Sequence, residues 1–304
     1  MLATPTLARR PHVPASRHRQ KSRPRSDSGT ANPTGWWCIR GGCLEVLEGV
    51  SRKHPEGLFD MIFADPPYFL SNGGVTCQNG RMVSVDKGGW DRSQGAQTDH
   101  AFHLGWLKAC QAALKPNGTI WVSGTHHVIH SVGYAMQSIG MKILNNITWE
   151  KPNPPPNLAC RYFTHSTETL LWAAKSPKSK HTFNYDRMKE SNGGKQMKSV
   201  WRFLPPQPWE KKHGKHPTQK PVALLERIIE ASTLPRDFIC DPFMGSGTTG
   251  VAALRSGRRF LGIELSAEYV ALARHRLSDH SPLTATRRGG PIDTNEPTLG
   301  LKFG

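Results

Sequence analysis

The sequence predicts an α/β fold, with a mostly parallel sheet wrapped by helices. Short apolar runs of strand length alternate with amphipathic runs of helix length over residues 36–280, the pattern of a sheet covered on both faces. Two of the strand-like runs end on an aspartate followed by proline, Asp65-Pro66-Pro67-Tyr68 and Asp241-Pro242-Phe243-Met244-Gly245-Ser246-Gly247-Thr248-Thr249. Ligands of open α/β sheets bind at the carboxyl ends of strands, so both motifs stand where a site belongs.

The chain has 304 residues, room for one large domain or two small ones, and its apolar content suffices for a core. Its formal charge is +17, which favours a polyanionic partner. Residues 1–35 hold seven Arg and Lys against Asp27 among Pro, Ser and Thr. They are too polar to bury a core and are expected to form a disordered basic tail. An upstream start codon or a nonspecific DNA-binding arm accounts for this tail better than organellar targeting does. Residues 281–304 are expected to be a flexible C-terminal tail. The six cysteines lack any C-x-x-C pair and read as reduced thiols. No run of about 18 apolar residues marks a membrane span, so a cytoplasmic, nucleoid-associated protein is expected.

Trp37–Arg40 reads as the first strand, and Gly41–Glu45 opens a short helix. Asp60–Ala64 is the next strand, and Asp65 follows it. Pro66 and Pro67 fix the backbone and remove two N–H donors. The Pro66 carbonyl and the Asp65 carboxylate then offer two acceptors, matched to the two hydrogens of an exocyclic amino group. Tyr68 adds a flat face on which a base can stack. Residues 69–99 are rich in Gly, Ser and Asn, and such a long loop is usually functional or disordered. It is expected to form a mobile lid with Arg81, Lys87, Trp90 and Arg92, or else an ordinary solvated loop.

Ala101–Leu114 has helical spacing, and Lys115-Pro116-Asn117-Gly118 reads as its stop. Thr119–Val122 is a strand and Val132–Ile139 a helix. His126, His127 and His130 lie between them with no Cys or carboxylate in support, so no metal site is expected. Lys142–Glu150 and Thr167–Ala174 read as neighbouring strands joined by the proline-stiffened Lys151–Asn157. Residues 175–215 interleave basic residues with Phe183, Tyr185, Trp201 and Trp209, a composition suited to nucleic-acid contact.

His216-Pro217-Thr218-Gln219-Lys220-Pro221 leads into an amphipathic helix, Val222–Ala231. Phe238–Cys240 is the strand before the glycine turn, whose glycines let backbone approach a ligand closely. A helix over Gly250–Leu254 and a strand over Phe260–Glu264 follow. Glu264 ends that strand about 20 residues past the glycines, the placement of an acid that binds ribose hydroxyls. Ala267–Leu277 is the last helix.

Asp-Pro-Pro-Tyr with Phe-x-Gly-x-Gly in one α/β chain resembles the amino-group DNA methyltransferases, with the motif order of their β group. The resemblance spans about residues 36–280. It implies a circularly permuted Rossmann-like methyltransferase, with a mostly parallel seven-stranded sheet and a reversed edge hairpin. It implies S-adenosyl-L-methionine as cofactor, held by Asp241, Phe243, Gly245, Gly247, Thr248 and Glu264, with Thr218 and Lys220 beside its methionine end. It makes Asp65, Pro66 and Tyr68 the catalytic residues acting on a base flipped out of double-stranded DNA. Within the family an Asp at the head of the motif favours adenine N6 over cytosine N4. Cytosine N4, an RNA base, and a DNA-binding protein without turnover are the alternative readings. Residues 176–215 occupy the place of the target-recognition region, and Lys151–Asn157 lines the pocket for the extruded base. A homodimer and a partner restriction endonuclease are further expectations. The family usually carries Asp where this chain has Gly42, which puts that contact to the cofactor adenine in doubt.

Overall fold

A computed structural model describes residues 35–71, 75–78, 81–84 and 91–280. The two expected tails, Gly35 apart, lie outside the described residues, as do Lys87, Trp90 and the Arg81 side chain. The chain forms β1 (Trp36–Arg40), α1 (Cys43–Lys53), β2 (Phe59–Ala64), β3 (Val75–Gln78), β4 (Arg81–Ser84) and α2 (Ala96–Ala113). Then come β5 (Leu114–Gly124), α3 (Ile129–Ser138), β6 (Lys142–Glu150), β7 (Thr167–Ala174), α4 (Tyr185–Ser191) and β8 (Val200–Arg202). The last elements are α5 (Val222–Ser232), β9 (Phe238–Asp241), α6 (Thr248–Arg255), β10 (Arg259–Glu264) and α7 (Ala267–Ser278).

The main sheet runs β1-β10-β9-β2-β5-β7-β6-β8. All neighbours are parallel except β5–β7 and β7–β6, so β7 is the reversed strand. The expected seven strands gain an eighth, the three-residue β8, which pairs with β6 through Trp149↔Trp201. The permutation shows in the first strand, β1, which sits at the edge beside β10 near the chain's end. β9 and β2 are direct neighbours, with Met61 opposite Ile239 and Ile62 opposite Cys240. Residues far apart in sequence thus end side by side, and the two Asp-Pro motifs leave the same edge.

Alternation within each strand builds two cores. Phe59 and Ile62 of β2 face one layer with α1, α2 and α3, through Leu47, Val50, Trp106, Leu107 and Val132. Met61 and Phe63 face the other with α5, α6 and α7, through Leu225, Ile228, Val251 and Ala273. Trp121 stacks on Trp172 across β5 and β7 at 4.9 Å and 9°. Trp201, expected among the exposed aromatics, is buried in the second core.

Several boundaries differ from expectation; α3 runs Ile129–Ser138 rather than Val132–Ile139, and α6 runs Thr248–Arg255 rather than Gly250–Leu254. α2 starts at Ala96 because its first turn, Gln97 to His100, is polar and shows no apolar period. β5 absorbs Lys115-Pro116-Asn117-Gly118, the expected stop, through an irregular register opposite Phe59 and Met61. The segment 69–99 contains an antiparallel pair, β3 with β4.

Gly57, in the turn before β2, has φ +93, and a Cβ there would lie 2.0 Å from the Leu114 carbonyl oxygen. Left-handed strain and a backbone clash act together, so Gly57→Ala should cost more than about 2 kcal/mol. Chemical denaturation of the variant against the parent measures this.

Candidate active site

The Asp65-Pro66-Pro67-Tyr68 turn is held by buried polar partners. Asp65 Oδ1 accepts the Tyr68 hydroxyl at 2.6 Å, and Oδ2 accepts Lys220 Nζ at 2.5 Å. The Tyr68 hydroxyl also lies 2.9 Å from Ser123 Oγ on β5 and 3.4 Å from Glu168 Oε2 on β7. The phenol has a single proton, and its shorter contact assigns that proton to Asp65. Ser123 then donates to the phenol oxygen. Glu168 is bridged by Lys151 and lies 3.7 Å from Lys220 Nζ.

This cluster is buried. The Lys220 and Glu168 side chains are 6% and 9% exposed, and Asp65 is 15% exposed. Burial alone pushes the Glu168 carboxyl up, but Lys220 and Lys151 outweigh it and hold the group below its ordinary range. Burial works against the Lys220 ammonium, yet Asp65 and Glu168 keep it above its ordinary range. Burial, with Asp65 and Glu168 beside it, pushes the Tyr68 phenol well up, so it stays a donor.

The backbone of the turn is fixed by Asp91, which the sequence did not mark. It is fully buried and accepts from Tyr68 N at 3.0 Å, Leu70 N at 3.1 Å and Ser71 Oγ at 2.9 Å. Phe69 between them sits at φ 55, in the left-handed region.

The glycine turn is built on its own supports. Asp241 is buried at the end of β9 and accepts from Phe243 N at 3.0 Å and Thr249 Oγ1 at 2.5 Å. Burial pushes its carboxyl up to about 7, against those two hydrogen bonds and with help from Asp65 and Glu264. Gly245 and Gly247 take φ +50 and +78, conformations that suit glycine. Glu264 closes the turn: Oε2 accepts Gly245 N at 3.0 Å and Oε1 accepts Ser266 N at 2.8 Å. Arg276 of α7 reaches Ser246 O at 2.7 Å, Ser246 Oγ at 2.8 Å and Thr248 Oγ1 at 3.0 Å. Burial lowers its pKa to about 10.

A cavity of about 330 Å³ joins the two turns. Asp65, Pro66, Tyr68, Thr218, Phe243, Gly245 and Glu264 all line it. Asp241, Thr248 and Lys220 border a smaller adjoining space of about 30 Å³. Thr248 turns its hydroxyl to Arg276, Lys220 turns to Asp65, and Gly247 caps α6. Tyr68 presents its ring to the cavity with its hydroxyl tied inward. Gly42 opens on the cavity, and a Cβ there meets nothing within 4 Å. Among the described residues no three His, Cys, Asp or Glu side chains converge as metal ligands.

A family profile for DNA methylases of the N6 and N4 type matches residues 59–275. The chain belongs to the N6/N4 family of DNA methylases. It is 59% identical over 234 residues to the Type II methyltransferase M2.DpnII of Streptococcus pneumoniae, covering 77% of this chain and 87% of that one. The crystal structure of the M1.HpyAVI complex with S-adenosylmethionine superposes with a TM-score of 0.60 at 28% identity, covering 80% and 98% of the two chains. The PvuII DNA methyltransferase, described as cytosine-N4-specific, superposes at 0.63 with 21% identity, covering 80% and 86%.

The methylase is thus an enzyme that uses S-adenosyl-L-methionine and acts on DNA. Its cavity fits that cofactor on its own terms. Gly245, with positive φ, lines the cavity and leaves room for close approach, and a Cβ on it would fall 3.1 Å from the His216 ring, whereas a Cβ on Gly247 would meet Ala273 at 2.9 Å. Glu264 keeps further lone pairs beyond its two backbone bonds. The signals that the sequence withheld were Lys151, Glu168 and Ser123. Only Glu168, a single acid inside an apolar strand, could have been noticed.

Glu264→Ala should weaken S-adenosylmethionine binding by about 1–3 kcal/mol, the loss of a charged hydrogen-bonding partner. Calorimetry on the protein without DNA reads it. A second outcome concerns stability. The Asp241 carboxyl is raised in the folded state, so its contribution is fully present below its ordinary 3.8 and is lost as pH rises through about 7. Asp241→Asn should flatten that decline in thermal unfolding across the same window.

Proposed function

We propose that this methylase transfers a methyl group to adenine N6 of a specific DNA site. The observation that carries the reading is the Asp65 carboxylate, beside Pro66, bordering the same cavity as the glycine turn. An aromatic amine is a poor nucleophile because its lone pair is delocalised into the ring. Asp65 and the Pro66 carbonyl accept the two amino hydrogens and favour a pyramidal nitrogen with an available lone pair. S-adenosylmethionine, when bound, supplies an electrophilic sulfonium methyl. Asp65 stabilises the positive charge that grows on the nitrogen, and the fixed turn contributes orientation. The ring of Tyr68 offers the base a stacking face. Phe243, Gly245, Glu264 and Thr218 hold the cofactor, with Asp241, Gly247 and Thr248 one layer back, where they shape the turn.

The amino group of a paired base is engaged in pairing, so the target leaves the stack. The loop between β6 and β7 supports this. It is pinned by Lys151 N to Ser166 O at 2.8 Å and by Asn157 Nδ2 to Tyr162 O at 2.6 Å. Within it the neighbouring rings of Tyr162 and Phe163 are 59% and 96% exposed, apolar faces open to a flat partner such as an extruded base. The Asp at the head of the motif favours adenine. The fold does not decide this point, since a cytosine-N4 enzyme shares it.

Residues 176–215 are assigned to target recognition, with 69–99 as the rival. Phe183, Tyr185 and Trp209 are about half exposed there. Arg187, Arg202 and Lys212 are paired with Glu230, Glu150 and Asp279 in exposed ion pairs, which DNA phosphates can displace at little cost. The Type II name of the relative favours a restriction–modification role with a partner endonuclease. A cytoplasmic location, association with the nucleoid and a homodimer complete the reading.

Asp65→Asn should lower methyl transfer to DNA by more than about 100-fold while S-adenosylmethionine affinity stays within about twofold. Transfer of labelled methyl and calorimetry, run on the same preparation, read the two quantities. Near-parent turnover removes Asp65 from the mechanism. Exchanging 176–215 for the segment of a relative with another target should change the methylated site and leave cofactor affinity intact. A change obtained only by exchanging 69–99 places recognition there instead.

A further inference from the structure

Lys220 stands just ahead of α5, yet its ammonium turns away from the main cavity. Its partners are Asp65 Oδ2 at 2.5 Å, Glu168 Oε2 at 3.7 Å and the Thr218 carbonyl at 3.5 Å. It also lies 5.2 Å from the centre of the Tyr68 ring. Three separate stretches of chain therefore meet on one buried cation. A lysine gripping the methionine carboxylate of a cofactor would point the other way and would not need Glu168 behind it.

We propose that Lys220 is the positioning residue of the catalytic carboxylate, and that Glu168, itself held by Lys151, positions Lys220. With Oδ2 fixed by Lys220 and Oδ1 by Tyr68, the Asp65 carboxylate cannot rotate. Each oxygen keeps further acceptor capacity, and the plane of that capacity is set before any base arrives. The two lysines balance the two buried carboxylates, and a carboxylate paired with an ammonium is an acceptor only. Neutral Asp65 would present a hydroxyl and lose one of its two roles toward the amine.

This inference rests on Asp65 being the residue that grips the amine, and its pH consequence has a definite sign. In the parent, Lys220 and Lys151 hold the Glu168 carboxyl below its ordinary range, so what this cluster contributes is lost only as pH falls. Without Lys220, Asp65 and Glu168 share a buried space beneath Tyr68 with Lys151 alone. Glu168, held low first by Lys220, then takes up a proton at higher pH. On β9 the Asp241 carboxyl is pushed up to about 7 and so adds little negative charge on the acid side, and Glu264 on β10 is engaged by the Gly245 and Ser266 amides. Asp91 beneath the turn is spent on backbone and hydroxyl donors.

The test uses the full chain with Lys220→Met, which keeps the length of the side chain and removes the charge. Methyl transfer at neutral pH should fall by about 10- to 100-fold, with S-adenosylmethionine affinity within about twofold. The acid limb of the rate profile should move up by about one pH unit or more. Acid unfolding of the free protein should shift the same way. Adding Glu168→Gln to Lys220→Met removes the uncompensated charge and should return acid unfolding toward the parent; it also supplies a folded protein if the single variant does not fold. Lys220→Arg should retain part of the rate. Affinity for S-adenosylmethionine reduced tenfold or more, with the acid limb unmoved, would make Lys220 a cofactor ligand and overturn the proposal. A parent-like acid limb in Lys220→Met would also overturn it. Should Asp65→Asn retain turnover, the reading of Asp65 fails; should that variant be inactive while Lys220→Met is unchanged, only the role of Lys220 fails.

Discussion

The buried ion pair between Lys220 and Asp65 is the contact on which the site depends. It spans 155 positions of sequence and joins the catalytic turn to the segment that precedes the cofactor helix. Two carboxylates cannot stay charged in that space unaided, and two lysines neutralise them. Removing one partner of such a pair commonly costs about 3–5 kcal/mol. A hydrophobic substitute would leave the carboxylate free to rotate. The pair therefore stands as a device for orientation more than for stability.

The sheet makes this contact available. β2 and β9 run parallel and adjacent, so the Asp65 and Asp241 turns emerge at the same edge where the order of the sheet reverses. Circular permutation leaves this geometry untouched, because the edge strand β1 still pairs with β10. On the cofactor side the working parts are mostly backbone. Asp241, Glu264 and Arg276 spend hydrogen bonds on shaping the glycine turn, and only Glu264 both shapes it and lines the cavity. On the catalytic side the working parts are side chains, and their support comes from β5, β7 and the loop before β7.

Much of this was legible in the sequence. The parallel strands are continuous apolar runs, the two motifs carry their own prolines and glycines, and Glu264 announces itself by spacing. The reversed strand and its hairpin partner were visible as neighbouring apolar runs. What escaped had physical causes. β8 is three residues long between polar stretches, too short for any period to appear. The polar first turn of α2 hid its start, and a proline-containing stop was absorbed into an irregular part of β5. Trp201 sits in a basic segment and so resembles a surface ring, whereas it fills the second core. Lys220 was grouped with the cofactor residues because sequence position places it beside the glycine turn. Its actual partners, Asp65 and Glu168, come from strands that no local pattern connects to it.

The chemical identity of the product bears most directly on the account. Labelled S-adenosylmethionine should be incubated with the protein and with DNA containing all four bases, and the digested nucleosides resolved by mass spectrometry. An Asp65 carboxylate paired with the Pro66 carbonyl around an adenine amine predicts N6-methyladenine as the labelled nucleoside. Label appearing in N4-methylcytosine alone, or no transfer to DNA by protein that binds the cofactor, would contradict it.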